Sequence, residues 1–237
     1  ETEQLSTEKG LIGVVFNNDG TEFTAWGYNK VYRYTVLSGG RVSSSVVVTP
    51  DSSKIVTTVS YSSTGGSCLG GYWGARYEPS PNVTSTKLVD TVVSSSAFYK
   101  SPAYSAEILA IGLDGAVNLY RIKENSTVSA AGAKTFSNNG AIIVAFSPSG
   151  NHLIAAGTKS VEYLRKYSTT DGLDYSHAGT FIKGGIDNGI LVFSQDGRFL
   201  VCGTKVYSYA DTAATITKNA IGNISSSATS CSFSPDG

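Results

Sequence analysis

The stretches "VAFSPSGNHLIAAGTKSVEYLRKY" (144–167) and "LVFSQDGRFLVCGTKVYSY" (191–209) repeat one pattern twice in succession. Each copy reads as an apolar strand, a tight polar turn, a second apolar strand, a glycine turn and a strand of alternating aromatic residues. The turn glycines Gly150 and Gly197 are 197 − 150 = 47 residues apart. The sequence therefore contains a unit of at least three strands that recurs along the chain.

The same turn pattern marks further copies. It reads "VVFNNDG" (14–20), "VVVTPDS" (46–52) and "CSFSPDG" (231–237), and a weaker copy in 101–115 has its turn near Ser105. The Gly- and Ser-rich stretch 60–85 does not fit the repeat, and we predict a long inserted loop there. A period of about 40–50 residues with several strands per unit is typical of a β-propeller blade.

We therefore predict an all-β fold, a β-propeller with about five four-stranded blades plus the start of a sixth. Residues 1–10 are predicted to be an N-terminal segment or outer strand, and 11–237 a single propeller domain, incomplete at the C-terminus. A complete ring of about six or seven blades then needs further sequence or strand addition by another chain.

The copies resemble WD40-type propeller blades across most of 11–237. The resemblance depends on the "FSPDG"-type turn and on a third strand in which a large residue follows a valine by three positions. These pairs are Val31–Tyr34, Val117–Tyr120, Val161–Leu164 and Val206–Tyr209. The Trp-Asp and Gly-His pairs of that family are absent, so the resemblance implies a divergent WD40-like propeller that binds other proteins.

The charge balance excludes several kinds of partner. The chain has 18 Lys and Arg against 18 Asp and Glu, which gives a formal net charge of zero. Without a basic field we predict no nucleic-acid binding and no attraction to an anionic membrane surface. No apolar run approaches the length of about 18 residues that a membrane helix needs, so we predict no membrane insertion.

The sequence offers no recognisable catalytic or metal site. His152 and His177 have no His or Cys at metal-ligand spacing, and we predict that both lie on the surface. Asp171, Asp174 and Asp187 are interpreted as residues that cap turns rather than as calcium ligands. We predict no catalytic residues, no metal and no cofactor, and we expect that the protein is not an enzyme.

Three cysteines without a CxxC motif exclude a disulfide-dense scaffold and a zinc ribbon. Cys202 and Cys231 lie in predicted strands, and we interpret both as small buried hydrophobic residues. A disulfide between them is left open, because sequence alone cannot show the geometry. The third cysteine, Cys68, lies in the predicted loop.

Tyr72, Trp73 and Tyr77 are the candidate binding residues, because they lie together in the predicted loop 60–85. Tyrosine and tryptophan on a Gly-rich loop suit protein interfaces and sugar stacking. The alternative is that these side chains pack on their own blade.

The predicted function is a non-catalytic scaffold for protein–protein interaction or structural assembly, whose partners are other proteins or copies of the chain itself. The alternative is an extracellular carbohydrate-binding propeller of lectin- or sialidase-like type. Candidate glycosylation sites at Asn82, Asn125 and Asn223 fall in predicted loops and favour an extracellular or cell-surface location. The scarcity of cysteine favours the cytoplasmic alternative.

Overall fold

The structure is a computed structural model that describes residues 10–43, 46–48, 54–79, 84–100, 105–135, 140–158, 164–182, 186, 189–210 and 220–234. In these residues the chain forms five four-stranded antiparallel sheets in sequence order, and its only helical segment is a short 3₁₀ turn at Ser38–Gly40. The predicted all-β, β-propeller fold with five four-stranded blades is confirmed.

The chain divides into two compact units, Glu1–Ser95 and Ser96–Gly237. The first unit holds two sheets, in which each strand pairs with the next one along the chain. The strands of the first sheet are β1 (Leu11–Phe16), β2 (Glu22–Gly27), β3 (Val31–Thr35) and β4 (Val46–Val48). Those of the second sheet are β5 (Val56–Tyr61), β6 (Ser67–Gly71), β7 (Gly74–Glu78) and β8 (Thr86–Val89).

An apolar cluster joins the two sheets of the first unit. Trp26 and Val31 of the first sheet pack against Val56, Val59 and Leu69 of the second. A polar contact accompanies this cluster, because the Arg33 guanidinium donates to the Glu78 carboxylate and, at 3.0 Å, to the Ser67 hydroxyl. The first two sheets are thus connected by apolar packing and by a half-buried ion pair.

The second unit holds the other three sheets. The third sheet consists of β9 (Val93–Lys100), which begins in the last residues of the first unit, β10 (Ala106–Leu113), β11 (Ala116–Lys123) and β12 (Val128–Thr135). The fourth consists of β13 (Ile142–Phe146), β14 (His152–Gly157), β15 (Leu164–Ser168) and β16 (Ser176–Ile182). The fifth consists of β17 (Leu191–Phe193), β18 (Phe199–Cys202), β19 (Lys205–Ser208) and β20 (Gly222–Asn223).

The fourth sheet is buried on both faces, which explains why its second strand is a continuous apolar run. In β14, Leu153 and Ala155 belong to the cluster shared with the third sheet. Ile154 and Ala156 belong to the cluster shared with the fifth sheet. Side chains alternate along a strand, so a strand between two sheets needs apolar residues at every position.

Two predicted boundaries are wrong. "VVVTPDS" (46–52) is not a first strand with its turn, because Val46–Val48 forms the outer strand β4 of the first sheet. The stretch 60–85 is not a long loop, because it contains the hairpin of β6 and β7. The second blade begins at β5 instead. The turn between β5 and β6 is closed by a hydrogen bond from Gly65 N to Ser62 O.

Two further predictions concern the two ends of the chain. Residues 1–9 and 235–237 lie outside the described residues, so the predicted N-terminal strand and the final turn are not described. Cys231 to Ser234, predicted as the first strand of a sixth blade, form no strand.

Candidate functional site

A groove runs along the first strands of the three sheets in the second unit. It is lined by consecutive residues of β13, Val144 to Phe146, and of β17, Leu191 to Phe193. Consecutive side chains of a strand point to opposite faces of its sheet. Because the groove contacts consecutive residues, it must lie along the edge of each strand rather than over one face of the sheet. We call this feature the first-strand groove.

The strand edges contribute backbone groups to the first-strand groove. β9, β13 and β17 are each the outermost strand of their sheet and pair on one side only. Along the other edge of β17, backbone N–H and C=O groups therefore lie outside the hydrogen bonds of the sheet. Such N–H groups are the type of donor that binds a carbonyl oxygen or an oxyanion.

The side chains that line the groove are mostly apolar. The described lining residues are Ala97, Phe98, Val144, Ala145, Phe146, Pro148, Leu191, Val192, Phe193, Ser194, Gln195, Phe233 and Ser234. Ten of these thirteen are apolar, and the groove has a volume of about 550 Å³. This volume lies within the range of about 300–1,000 Å³ that is usual for small-molecule sites.

The groove has an apolar floor and a more polar rim. We use the word floor for the three half-buried phenylalanine rings in the lining, Phe98, Phe146 and Phe193. Gln195 and Ser234 are exposed and stand at the rim. A ligand in this groove would therefore meet rings and methyl groups below and hydrogen-bonding groups above.

Neighbouring rings hold the floor in place. The Phe146 ring centroid lies 5.7 Å from that of Tyr99 and 5.5 Å from that of Tyr175. The Phe193 centroid lies 4.8 Å from that of Tyr209 in an edge-on arrangement. These contacts are within the range of favourable aromatic pairs and fix the two phenylalanine rings beside the groove.

The turn after β17 positions Gln195 at the rim. Gly197 N donates to Ser194 O at 3.0 Å, and the Ser194 hydroxyl donates to the Asp196 carboxylate at 2.6 Å. The bond from Ser194, followed by those from the Arg198 backbone and side chain, lowers the pKa of Asp196 to about 2. Asp196 is thus an ionised group held within the turn, and it serves to order the loop that carries Gln195.

The first-strand groove is electrically neutral over its described lining. It contains no lysine, arginine, histidine, cysteine or carboxylate there. The Arg198 side chain nearby is paired with the Asp196 carboxylate. What this part of the groove offers to chemistry is therefore the backbone N–H groups of β17, the Gln195 amide and the Ser234 hydroxyl.

The predicted binding residues lie in the first unit, and none of them lines the groove. Tyr72 is 52% exposed and forms the two-residue turn between β6 and β7 with Trp73, which is half-buried beneath the Arg76 guanidinium at 5.7 Å. Tyr77 is fully buried, which agrees with the alternative that these side chains pack on their own blade. It lies on the inward face of β7, where side chains alternate between core and surface. Binding by the set of Tyr72, Trp73 and Tyr77 stays a prediction.

The two histidines have different environments. His177 is exposed on β16, as predicted. His152 is buried, and its Nδ1 is hydrogen-bonded to the Tyr209 hydroxyl, so the predicted surface position is wrong. The described residues contain no group of three or more potential metal ligands.

The carboxylates predicted to cap turns include one clear case. Asp171 Oδ1 accepts bonds from the backbone N–H groups of Asp174 and Leu173, both at 2.9 Å, and from the Thr169 hydroxyl at 2.8 Å. These bonds lower the pKa of Asp171 to about 2. Asp174 pairs with Arg121 at 2.6 Å, and Asp187 lies outside the described residues.

The cysteines are free thiols. Cys68 and Cys202 are buried, and burial raises the pKa of the Cys202 thiol to about 12. Cys202 and Cys231 form no disulfide with each other, and Cys231 is half-buried and lies in no strand, so its predicted position in a buried strand is wrong. Both buried thiols pack as hydrophobic groups.

Of the candidate glycosylation sites, Asn125 is exposed in a turn and Asn223 is exposed in β20 rather than in the predicted loop. Asn82 lies outside the described residues. Whether any of them carries a glycan stays a prediction.

Across the described residues, no helix has the length and apolar character needed to span a bilayer.

The fold is similar to that of solved propellers, whereas sequence comparison finds nothing. No family model matches the chain, and no curated protein matches it. A functionally unknown protein from Desulfotomaculum acetoxidans has a TM-score of 0.67 and 11% identity, with 90% of this chain and 70% of that one covered.

Two further solved structures have names that include an activity. The periplasmic gluconolactonase of Pseudomonas aeruginosa has a TM-score of 0.67 and 13% identity, with 89% of this chain and 69% of that one covered. A candidate 6-phosphogluconolactonase from Bacteroides fragilis has a TM-score of 0.66 and 11% identity, with 85% and 67% covered.

These comparisons correct the functional prediction. We expected a non-catalytic scaffold and no enzyme, and this is contradicted because solved structures with the same fold are named as lactonases. The alternative of a lectin- or sialidase-like propeller has no support from the structures named above. At identities of 11–13% the likeness establishes the propeller fold and nothing finer.

Proposed function

We propose that the protein hydrolyses lactones and that the first-strand groove binds the lactone ring. In this reaction water adds to the carbonyl carbon of the cyclic ester, and the ring C–O bond breaks. The ring oxygen takes a proton and becomes a hydroxyl group, and the new carboxylic acid releases a proton at neutral pH. The observation that carries the proposal is the neutral, apolar groove, in which the outer edge of β17 meets a rim that holds the Gln195 amide and the Ser234 hydroxyl.

The names of the similar structures suggest the reaction type. Gluconolactonase and 6-phosphogluconolactonase are named after cyclic esters, and both structures share this fold. Fold likeness alone does not assign an activity, so the groove's own chemistry has to support it.

Gln195 and the groove edge of β17 have a defined role in this proposal. Their N–H groups donate to the lactone carbonyl oxygen, which becomes negative as water adds. Donors that are already in place at a developing oxyanion commonly contribute about 10²–10³ in rate. The Ser194–Asp196 bond keeps the turn in position so that the Gln195 amide is held at the rim.

Hydrolysis of δ-valerolactone, followed by proton release in a pH-stat, tests the proposal. We expect the wild-type rate to exceed spontaneous hydrolysis, and Gln195→Ala to lower kcat/KM by about tenfold or more. Asn18→Ala is the matched control, because Asn18 occupies the same position in the turn "NNDG" of the first sheet. A wild-type rate equal to that of buffer alone would contradict the proposal.

The resemblance to WD40-like propellers, the protein partners, self-association and the extracellular location stay predictions. The propeller fold is compatible with each of them, since one fold serves many functions.

A further inference from the structure

We infer that the first-strand groove selects an uncharged lactone with an alkyl substituent rather than a phosphorylated or hydroxyl-rich sugar lactone. This inference rests on the proposed function, because it names the substrate class of the same groove.

The charge of the groove disfavours a phosphorylated substrate. A phosphate monoester carries about −1.5 to −2 charges at neutral pH and is usually bound by arginine, lysine or several N–H donors. The described lining contains no cationic side chain. Arg198 is paired with Asp196, whose carboxylate would itself repel an anion.

The polarity of the groove disfavours a sugar. Each hydroxyl group that leaves water needs a hydrogen-bond partner, and burial without one is unfavourable. Only three of the thirteen lining residues, Ser194, Gln195 and Ser234, have polar side chains, and the buried Ser194 hydroxyl already donates to the Asp196 carboxylate and accepts from the Phe199 N–H. A polyhydroxylated ring would therefore lose hydrogen bonds on entering the groove.

The layout of the groove orients an amphiphilic ligand. The ester group fits the rim, where the Gln195 amide is exposed, and the alkyl chain fits the floor formed by Phe98, Phe146 and Phe193. Burial of a methylene group at such a floor strengthens binding by about threefold to fourfold. Affinity should therefore rise with chain length up to the capacity of the groove.

Calorimetry with ligands that cannot be hydrolysed tests this selectivity separately from catalysis. We would titrate the full chain with cyclohexanone, 2-propylcyclohexanone and 2-pentylcyclohexanone, in which the ring ketone replaces the ester. We expect a rise of about threefold for each added methylene. Gln195→Trp and Ser234→Trp should each weaken 2-pentylcyclohexanone at least tenfold, whereas Asn18→Trp in the equivalent turn should have no effect.

Hydrolysis of a second series distinguishes this inference from the proposed function. We expect δ-decalactone to be hydrolysed with a higher kcat/KM than δ-valerolactone, δ-gluconolactone or 6-phosphogluconolactone. Ketone affinity that rises with chain length but no hydrolysis would support the ligand class and overturn the hydrolase proposal. Hydrolysis that is fastest with the phosphorylated lactone, or ketone affinity independent of chain length, would overturn the inference.

Discussion

The turns that connect β13 to β14 and β17 to β18 each need a glycine. Gly150 and Gly197 occupy equivalent turns, and both have a φ near +70°, at 69° and 71°. The two sites differ in surroundings: a Cβ on Gly150 would overlap the Tyr99 ring, whereas a Cβ on Gly197 would meet nothing closer than 3.8 Å. The repeat therefore needs glycine at both sites for its backbone, and at Gly150 also for space.

We expect Gly150→Ala to destabilise the second unit by about 2–4 kcal/mol and Gly197→Ala by about 1 kcal/mol. The left-handed backbone accounts for about 1 kcal/mol in both variants. At Gly150, displacement of Tyr99 adds the cost of overpacking. Urea unfolding followed by circular dichroism measures the difference, and equal destabilisation of the two variants would contradict the steric argument.

The Asp171 carboxylate predicts how the second unit responds to acid. Its pKa in the folded chain is about 2, below the usual value, so the folded state binds fewer protons than the unfolded state at mildly acidic pH. Its contribution to stability is therefore complete above about pH 4 and lost as the pH falls towards 2. We expect the difference in urea midpoint between wild type and Asp171→Asn to shrink across this window. A difference that stays constant from pH 6 to pH 2 would contradict this assignment.

At the residue scale, the sequence predicted turn chemistry but not the burial of individual side chains. Gly150, Gly197 and Asp171 are recognisable because turns need a positive φ or a local cap. The burial of His152 and Tyr77 depends on residues far away in sequence, and the Tyr209 hydroxyl that pairs with His152 is 57 positions further along. A local pattern contains no such information.

At the scale of elements, the ion pair between β3 and β7 connects two sheets. The side chains of Arg33 and Glu78 are only 14% and 16% exposed, so water screens the pair weakly. A matched control lies in the same unit, where Lys87 and Asp90 pair at 60% and 73% exposure. Burial, and not the mere presence of opposite charges, should decide the strength of each pair.

We expect a coupling energy of about 1–3 kcal/mol in a double-mutant cycle of Arg33→Met and Glu78→Gln. The cycle of Lys87→Met and Asp90→Asn should give less than about 0.5 kcal/mol. Tryptophan fluorescence during urea unfolding reports the first unit, because both tryptophans, Trp26 and Trp73, lie there. Equal coupling energies in the two cycles would contradict the claim that burial strengthens the pair between Arg33 and Glu78.

Element boundaries were predictable where a strand carries a strong turn and apolar residues. This applies to β13, β14, β17 and β18, whose hairpins follow the quoted repeat. It fails for β4, because outer strands are short and their limits are set by the neighbouring strand rather than by their own sequence. It also fails for β6, where "SCLGG" contains too little β-branched or aromatic sequence to signal a strand.

At the scale of the whole molecule, the repeat predicted the fold but not the function. A period of about 45 residues indicates propeller blades because each unit must cover its apolar faces with neighbours. The first-strand groove escaped sequence reasoning because it consists of strand edges and apolar side chains, which form no catalytic motif. One signal was present: an aromatic residue precedes the turn in several copies, as Phe146, Phe193 and Phe233 do beside the groove.

The most direct test of the central claim is to locate a bound ligand by methyl NMR. Titration with 2-pentylcyclohexanone should shift the methyl signals of Val144, Leu191 and Val192 in the groove. The signals of Val31 and Val59, buried in the first unit, should stay unchanged. Shifts confined to the first unit, or no shift of the groove methyls at saturating ligand, would contradict the assignment of the first-strand groove as the binding site.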